Sequence, residues 1–204
     1  NGYSRKTTAA GEFDYRLGEL PAAKNAFREL IDYDETIVAA HRGYLKCASA
    51  AGDIEKAIAD YEKKLEAHPN TALWLYTAGL ALSYRNTEPA LEAAGKQIRK
   101  AIRLNGHVEY FHQTLGFIHE MLETVYNKKQ QLEPALEAYK KAYFLNDPET
   151  NPENATNLEL NLGNTFYLLG QYGKAFEFYD RRVQRETPLL WSCRRCGTSS
   201  VMPT

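Results

Sequence analysis

The sequence predicts an all-α chain wound as a solenoid of about five helix-turn-helix units, and three observations carry that expectation. The triplet Gly18, Ala23, Phe27 recurs as Gly52, Ala57, Tyr61, each member displaced by 34 residues, the length of two short helices and their turns. Five segments repeat the apolar spacing i, i+3, i+7, i+11, which draws one stripe down a 3.6-residue helix. The segments between them carry a small or apolar pair at mid-helix, four of the five ending in glycine.

In chain order, unit one (about 4–37) pairs Ala10-Gly11 in its first helix with the stripe Leu20/Ala23/Phe27/Ile31 in its second. Unit two (38–71) has Tyr44-Leu45 and Ile54/Ala57/Tyr61/Leu65; unit three (72–108) has Ala78-Gly79 and Leu91/Ala94/Ile98/Ile102. Unit four (109–149) has Leu115-Gly116 and Leu132/Ala135/Tyr139/Tyr143; unit five (156–187) has Leu162-Gly163 and Tyr172/Ala175/Tyr179/Val183. Alanine is the second member of every stripe, as expected where a neighbouring helix crosses too closely for a larger side chain. Glycine costs roughly 1 kcal/mol inside a helix, so its return implies a close backbone contact that compensates. Between units stand the helix-stop signals His68-Pro69-Asn70, Asn105-Gly106 and Asn146-Asp147-Pro148. Residues 188–204, with Pro188, Gly197, Pro203 and no helical period, read as an irregular tail.

This pattern resembles the tetratricopeptide repeat (TPR) family, most plainly in the run from Asn161-Leu162-Gly163-Asn164 through Tyr172-Gly173-Lys174-Ala175-Phe176. The resemblance covers nearly all of residues 4–187 and implies a right-handed superhelix whose first helices line a concave groove. It departs from the family period in units three and four, where Ala57 to Ala94 spans 37 residues and Ala94 to Ala135 spans 41. The extra residues lie near Arg85-Asn86-Thr87 and from Val125 to Lys129, with a further insertion from Glu149 to Asn154. Simple loop drift accounts for them; contacts made from one rim are the other reading.

By the same resemblance the groove accepts a polypeptide segment, so the chain reads as an interaction scaffold or adaptor. Helical periodicity places Arg42, Lys46 and Ser49 on the groove face of unit two, and Tyr76, Leu80 and Tyr84 in unit three. It adds Gln113, Phe117 and Glu120 in unit four, and Asn157, Asn161, Asn164 and Tyr167 in unit five. Amides can bond a peptide backbone as donor and acceptor, and aromatics offer rigid area at small entropic cost. The same tyrosines could instead pack between helices, and the asparagines could simply solvate them. The family's clamp for a C-terminal carboxylate is only partly matched, because unit one offers Thr8 and Glu12 where a Lys-Asn pair is needed, beside Arg42 with Lys46.

The alternative is a structural subunit that uses its convex face and array ends in an assembly or homo-oligomer. The final stripe has no capping helix after it, so either Leu189-Leu190-Trp191 folds back over it or the open end pairs with another chain. Loss of residues 188–204 is then expected to lower solubility or change the oligomeric state.

Other chemistry finds little support. Lys+Arg 25 against Asp+Glu 26 gives a net charge of -1, with no global basic field for nucleic acid. The local cluster Arg181, Arg182, Arg185, Arg194 and Arg195 lacks interleaved aromatics. No run is apolar enough for membrane insertion, and no targeting signal stands out, which favours the cytoplasm and leaves open an exported chain whose signal was removed. Cys193 and Cys196 have the spacing of half a zinc site or a redox pair but no second pair of ligands nearby, and Cys47 reads as packing. His112 and His119 are seven apart, where metal-binding pairs use four. With no nucleophile elbow, phosphate loop or acid pair, neither enzymatic activity nor a metal or cofactor is expected.

Overall fold

The computed structural model describes residues 2–195, with side chains described for all of these except Arg5 and 186–195. Among the described residues it contains ten α-helices and no strand. They are α1 (Gly2–Leu17), α2 (Leu20–Tyr33), α3 (Val38–Ala50), α4 (Ile54–Ala67), α5 (Ala72–Ser83), α6 (Glu88–Leu104), α7 (Glu109–Thr124), α8 (Leu132–Leu145), α9 (Pro152–Leu168) and α10 (Tyr172–Arg195). Each odd-numbered helix packs against the even-numbered one that follows, and that helix against the next odd one. No helix among the described residues is long and apolar enough to cross a membrane.

The stripe alanines Ala23, Ala57, Ala94, Ala135 and Ala175 are all buried. The recurrent glycines have a concrete cause, because each admits a large side chain from a second helix. A Cβ on Gly116 would stand 2.7 Å from the Tyr139 ring, and one on Gly11 2.9 Å from Phe27 Cζ. Gly43 faces the same Phe27 ring, and Gly163 the Tyr179 ring. Within units one, two and five the turn between helices passes through Gly18, Gly52 and Gly170 at φ 81°, 78° and 73°, the left-handed region where glycine carries no Cβ penalty. In units three and four Asn86 (φ 50°) and Asn127 (φ 55°) take that conformation instead.

The extra residues of unit three enter partly as an added first turn of α6 ahead of Leu91, and those of unit four form the connection 125–131. There the Glu123 carboxylate accepts from the Gln131 and Leu132 backbone N–H groups and caps α8. The last helix differs from expectation. Residues 188–195 continue α10, where the sequence reads as irregular, because Pro188 removes one N–H and costs about 3 kcal/mol without obliging the chain to stop. Cys196 lies outside the described residues, as does the Cys193 side chain.

Candidate functional site

Odd-numbered helices face the inside of the array, and helical spacing sets which side chains they present there. On α3, Ala39, Arg42, Gly43 and Lys46 share one face; on α7, Tyr110, Gln113, Thr114 and Phe117 do the same; on α9, Asn154, Asn157 and Asn161. Two adjoining cavities result, of about 270 and 280 Å³. The first takes its wall from all five odd helices, including Glu12, Lys46, Tyr110 and Asn157. The second is lined by Gln113, Thr114, Phe117 and Asn161, with Ser83 and Asn86. Arg42, Leu80 and Tyr84 belong to both.

Arg42 organises this wall. Its Nη1 donates to Tyr76 Oη at 2.8 Å and Thr114 Oγ1 at 3.0 Å, and its Nη2 to Gln113 Oε1 at 3.2 Å. The guanidinium lies 4.5 Å from the centroid of the Tyr110 ring, a cation–π contact. Burial works against its charge, yet the surrounding Tyr76 and Tyr110 hold its pKa above the ordinary value. Burial pushes the neighbouring Tyr84 phenol up to about 12, so it stays a neutral donor. Across the cavity, Lys46 pairs with Glu12 at 3.3 Å. Asn151 donates to Tyr110 Oη at 2.7 Å, tying the start of α9 to α7.

The residues expected at the groove thus separate into groups. Arg42, Leu80 and Tyr84 line both cavities, Lys46 and Asn157 the first, and Gln113, Phe117 and Asn161 the second, where the Phe117 ring remains exposed. Tyr76 is fully buried and stacked on Phe111 at 4.4 Å, so it supports Arg42 from within the core. Glu120 accepts from Tyr139 Oη at 3.1 Å, and Asn164 from Tyr179 Oη at 2.9 Å; neither lines either of these two cavities. Tyr167 lies at the end of the array against Tyr172, ring centroids 5.4 Å apart. Tyr110, Asn151, Glu153 and Asn154 line the first cavity without having been singled out from the sequence. The insertion before unit five was the available signal, since it supplies three of the four.

A larger cleft, about 730 Å³, lies outside this face between units one and two. Its rings are already engaged by its own residues. His41 Nδ1 lies 2.7 Å from Tyr61 Oη and Nε2 2.8 Å from the Glu35 carbonyl, while Lys64 sits over Trp74 and Arg28 over Tyr44. His112 and His119 are each held by a separate hydrogen bond, to the Gly106 carbonyl and to Gln131 Oε1. Cys47 is buried, and burial raises its thiol pKa, so it stays protonated.

The model of the soluble NSF attachment protein family, SNAP, matches residues 37–187. Solved structures share the fold over nearly the whole chain. A thermophilic TPR protein of Thermus thermophilus aligns with TM-score 0.65 at 17% identity, covering 94% of this chain and 96% of its own. MamA of Desulfovibrio magneticus RS-1 gives 0.57 at 18%, covering 92% and 97%. YrrB, described as a TPR protein with an unusual peptide-binding site, gives 0.51 at 17%, covering 92% and 89%. No curated protein matches the chain in sequence.

Proposed function

The chain belongs to the soluble NSF attachment protein family, and from that premise we propose that it is a protein-binding scaffold holding a partner's polypeptide segment against its odd-numbered helices. The observation that carries the reading is the pair of adjoining cavities walled by those helices and joined through Arg42, Leu80 and Tyr84. Amide groups of Gln113, Asn157 and Asn161 stand beside the exposed Phe117 ring, which suits a peptide backbone with one apolar side chain. A family named for attachment to another protein, and a solved neighbour described by its peptide-binding site, fit the same kind of ligand.

A photo-crosslinking amino acid at Phe117 or Asn157, compared with one at the exposed outer residue Lys63, tests this. Crosslinks from the first two positions to one discrete partner, absent from the third, are expected. Equal capture from Lys63 would remove the groove reading.

One observation favours the array-end reading as a second mode. Phe176 on α10 is 71% exposed, whereas Ile58 and Leu136, which follow the stripe alanine in the same way on α4 and α8, are 1% and 6% exposed. Covering by a further helix from another chain would bury it. Sedimentation over a range of concentrations should show self-association that Phe176→Ser weakens; a monomer at every concentration counts against that mode.

A further inference from the structure

Among the charged groups lining the first cavity, the cations and carboxylates pair off with one exception. Glu12 is taken by Lys46 at 3.3 Å, and Glu153 by Arg16 at 2.6 Å. Arg42 alone has only neutral partners, Tyr76, Thr114 and Gln113, and no described carboxylate pairs with it. A half-buried guanidinium ringed by neutral groups keeps a charge that no carboxylate in the wall neutralises.

Its donors show where compensation would come from. Both Nη1 hydrogens and one Nη2 hydrogen are used, which leaves Nε–H and the second Nη2–H. Nε and Nη2 share one edge of the guanidinium, at the separation of the two oxygens of a carboxylate. The three bonds and the Tyr110 ring fix the plane of the group beforehand, so little side-chain freedom would be lost on binding.

We infer that the Nε edge of Arg42 is a receptor for a side-chain carboxylate, Asp or Glu, within the partner segment; this rests on the groove reading above. Arg42 stands in the wall shared by both cavities, so a chain bound there continues to either side, which suits an internal residue better than a chain terminus. A phosphate would bring a second negative charge beside Glu12 and Glu153 with no second unpaired cation in the wall to meet it.

Selection of random peptides displayed on phage against the full chain tests this, followed by synthesis of the selected peptide with Glu, Gln or phosphoserine at the acidic position. The expected result is a consensus with one internal acid, whose change to Gln weakens binding roughly tenfold to a hundredfold for the wild type. The same change should cost much less against Arg42→Lys, which keeps the charge but loses the fork, and nothing against Arg42→Gln. If Arg42→Gln does not fold, the wild-type and Arg42→Lys comparison decides alone. An equal Glu-to-Gln cost in wild type and Arg42→Lys, a consensus without acid, an acid effective only as the C-terminal carboxyl, or tighter binding of phosphoserine would each overturn the inference while leaving the groove reading intact. Failure to select any peptide would remove both.

Discussion

Arg16 on α1 and Glu153 on α9, 137 residues apart in the chain, meet at 2.6 Å. The superhelix has therefore turned far enough for its first and last units to touch, and the contact joins them where Glu153 lines the first cavity. Both side chains are more than half exposed, so water and salt screen the pair and its share of stability is below about 1 kcal/mol. Glu153→Gln is expected to leave the urea midpoint nearly unchanged. Binding of an acidic groove peptide should become faster, most of all at low salt, because Arg16 is left without its carboxylate. Unaltered association rates would mean that the pair does not restrict entry.

The pair between α9 and α10 has the opposite character. Glu159 is completely buried and receives Arg185 on both oxygens, Nη2 to Oε1 at 2.7 Å and Nε to Oε2 at 3.2 Å. Arg185→Ala leaves a carboxylate buried without its cation. Because water reaches the pair through the Arg185 side, the loss should fall near about 3 kcal/mol, measured by urea denaturation. The double change Glu159→Leu with Arg185→Met removes both charges and should recover much of that loss.

Periodicity along one helix is a local property, which is why the helix pairs could be read from spacing while the inside of the superhelix could not. Arg42, Leu80 and Tyr84 were identified because i, i+4 spacing alone assigns their face. Tyr76 has the same spacing, but its fate depends on Phe111 from the next unit, whose ring covers it. Glu120 and Asn164 likewise turn to tyrosines on the following helices, Tyr139 and Tyr179. The approach of Asn151 and Glu153 to α7 and α1 depends on superhelical pitch, a sum of small rotations that no single stripe encodes.

Gly116 faces the Tyr139 ring at a separation where a methyl group would stand 2.7 Å from two ring carbons. Alanine is favoured over glycine by about 1 kcal/mol in an exposed helix, and here that gain is opposed by overpacking of about 1–3 kcal/mol. The ring cannot retreat freely, since its hydroxyl is tied to Glu120. Gly116→Ala is therefore expected to lower the melting temperature. At Gly173, where an added methyl group would meet nothing within 4 Å, Gly→Ala should raise it slightly, and the opposite order would refute the packing account.

His41 gives the fold a dependence on pH. The ring is buried, and desolvation holds its pKa below the ordinary 6.5, against the Glu35 carbonyl, which raises it; the Glu35 charge also raises it and Lys64 lowers it. In the neutral ring Nε2–H donates to that carbonyl and Nδ1 accepts from the Tyr61 hydroxyl, an arrangement with no place for a second ring proton unless the tyrosine turns away. The unfolded chain thus binds a proton more readily than the folded one. The stabilising contribution is complete above about 6.5 and is lost as pH falls through the folded value. His112 and His119 shift in the same direction, also chiefly through burial, and add to the slope. Urea midpoints measured between about pH 7.5 and 5 should fall for the wild type and fall less steeply for His41→Gln, whose amide can neither titrate nor gain a proton in this range. Parallel slopes for the two proteins would show that His41 is protonated in the fold and that the Tyr61 hydroxyl, rather than the ring, yields.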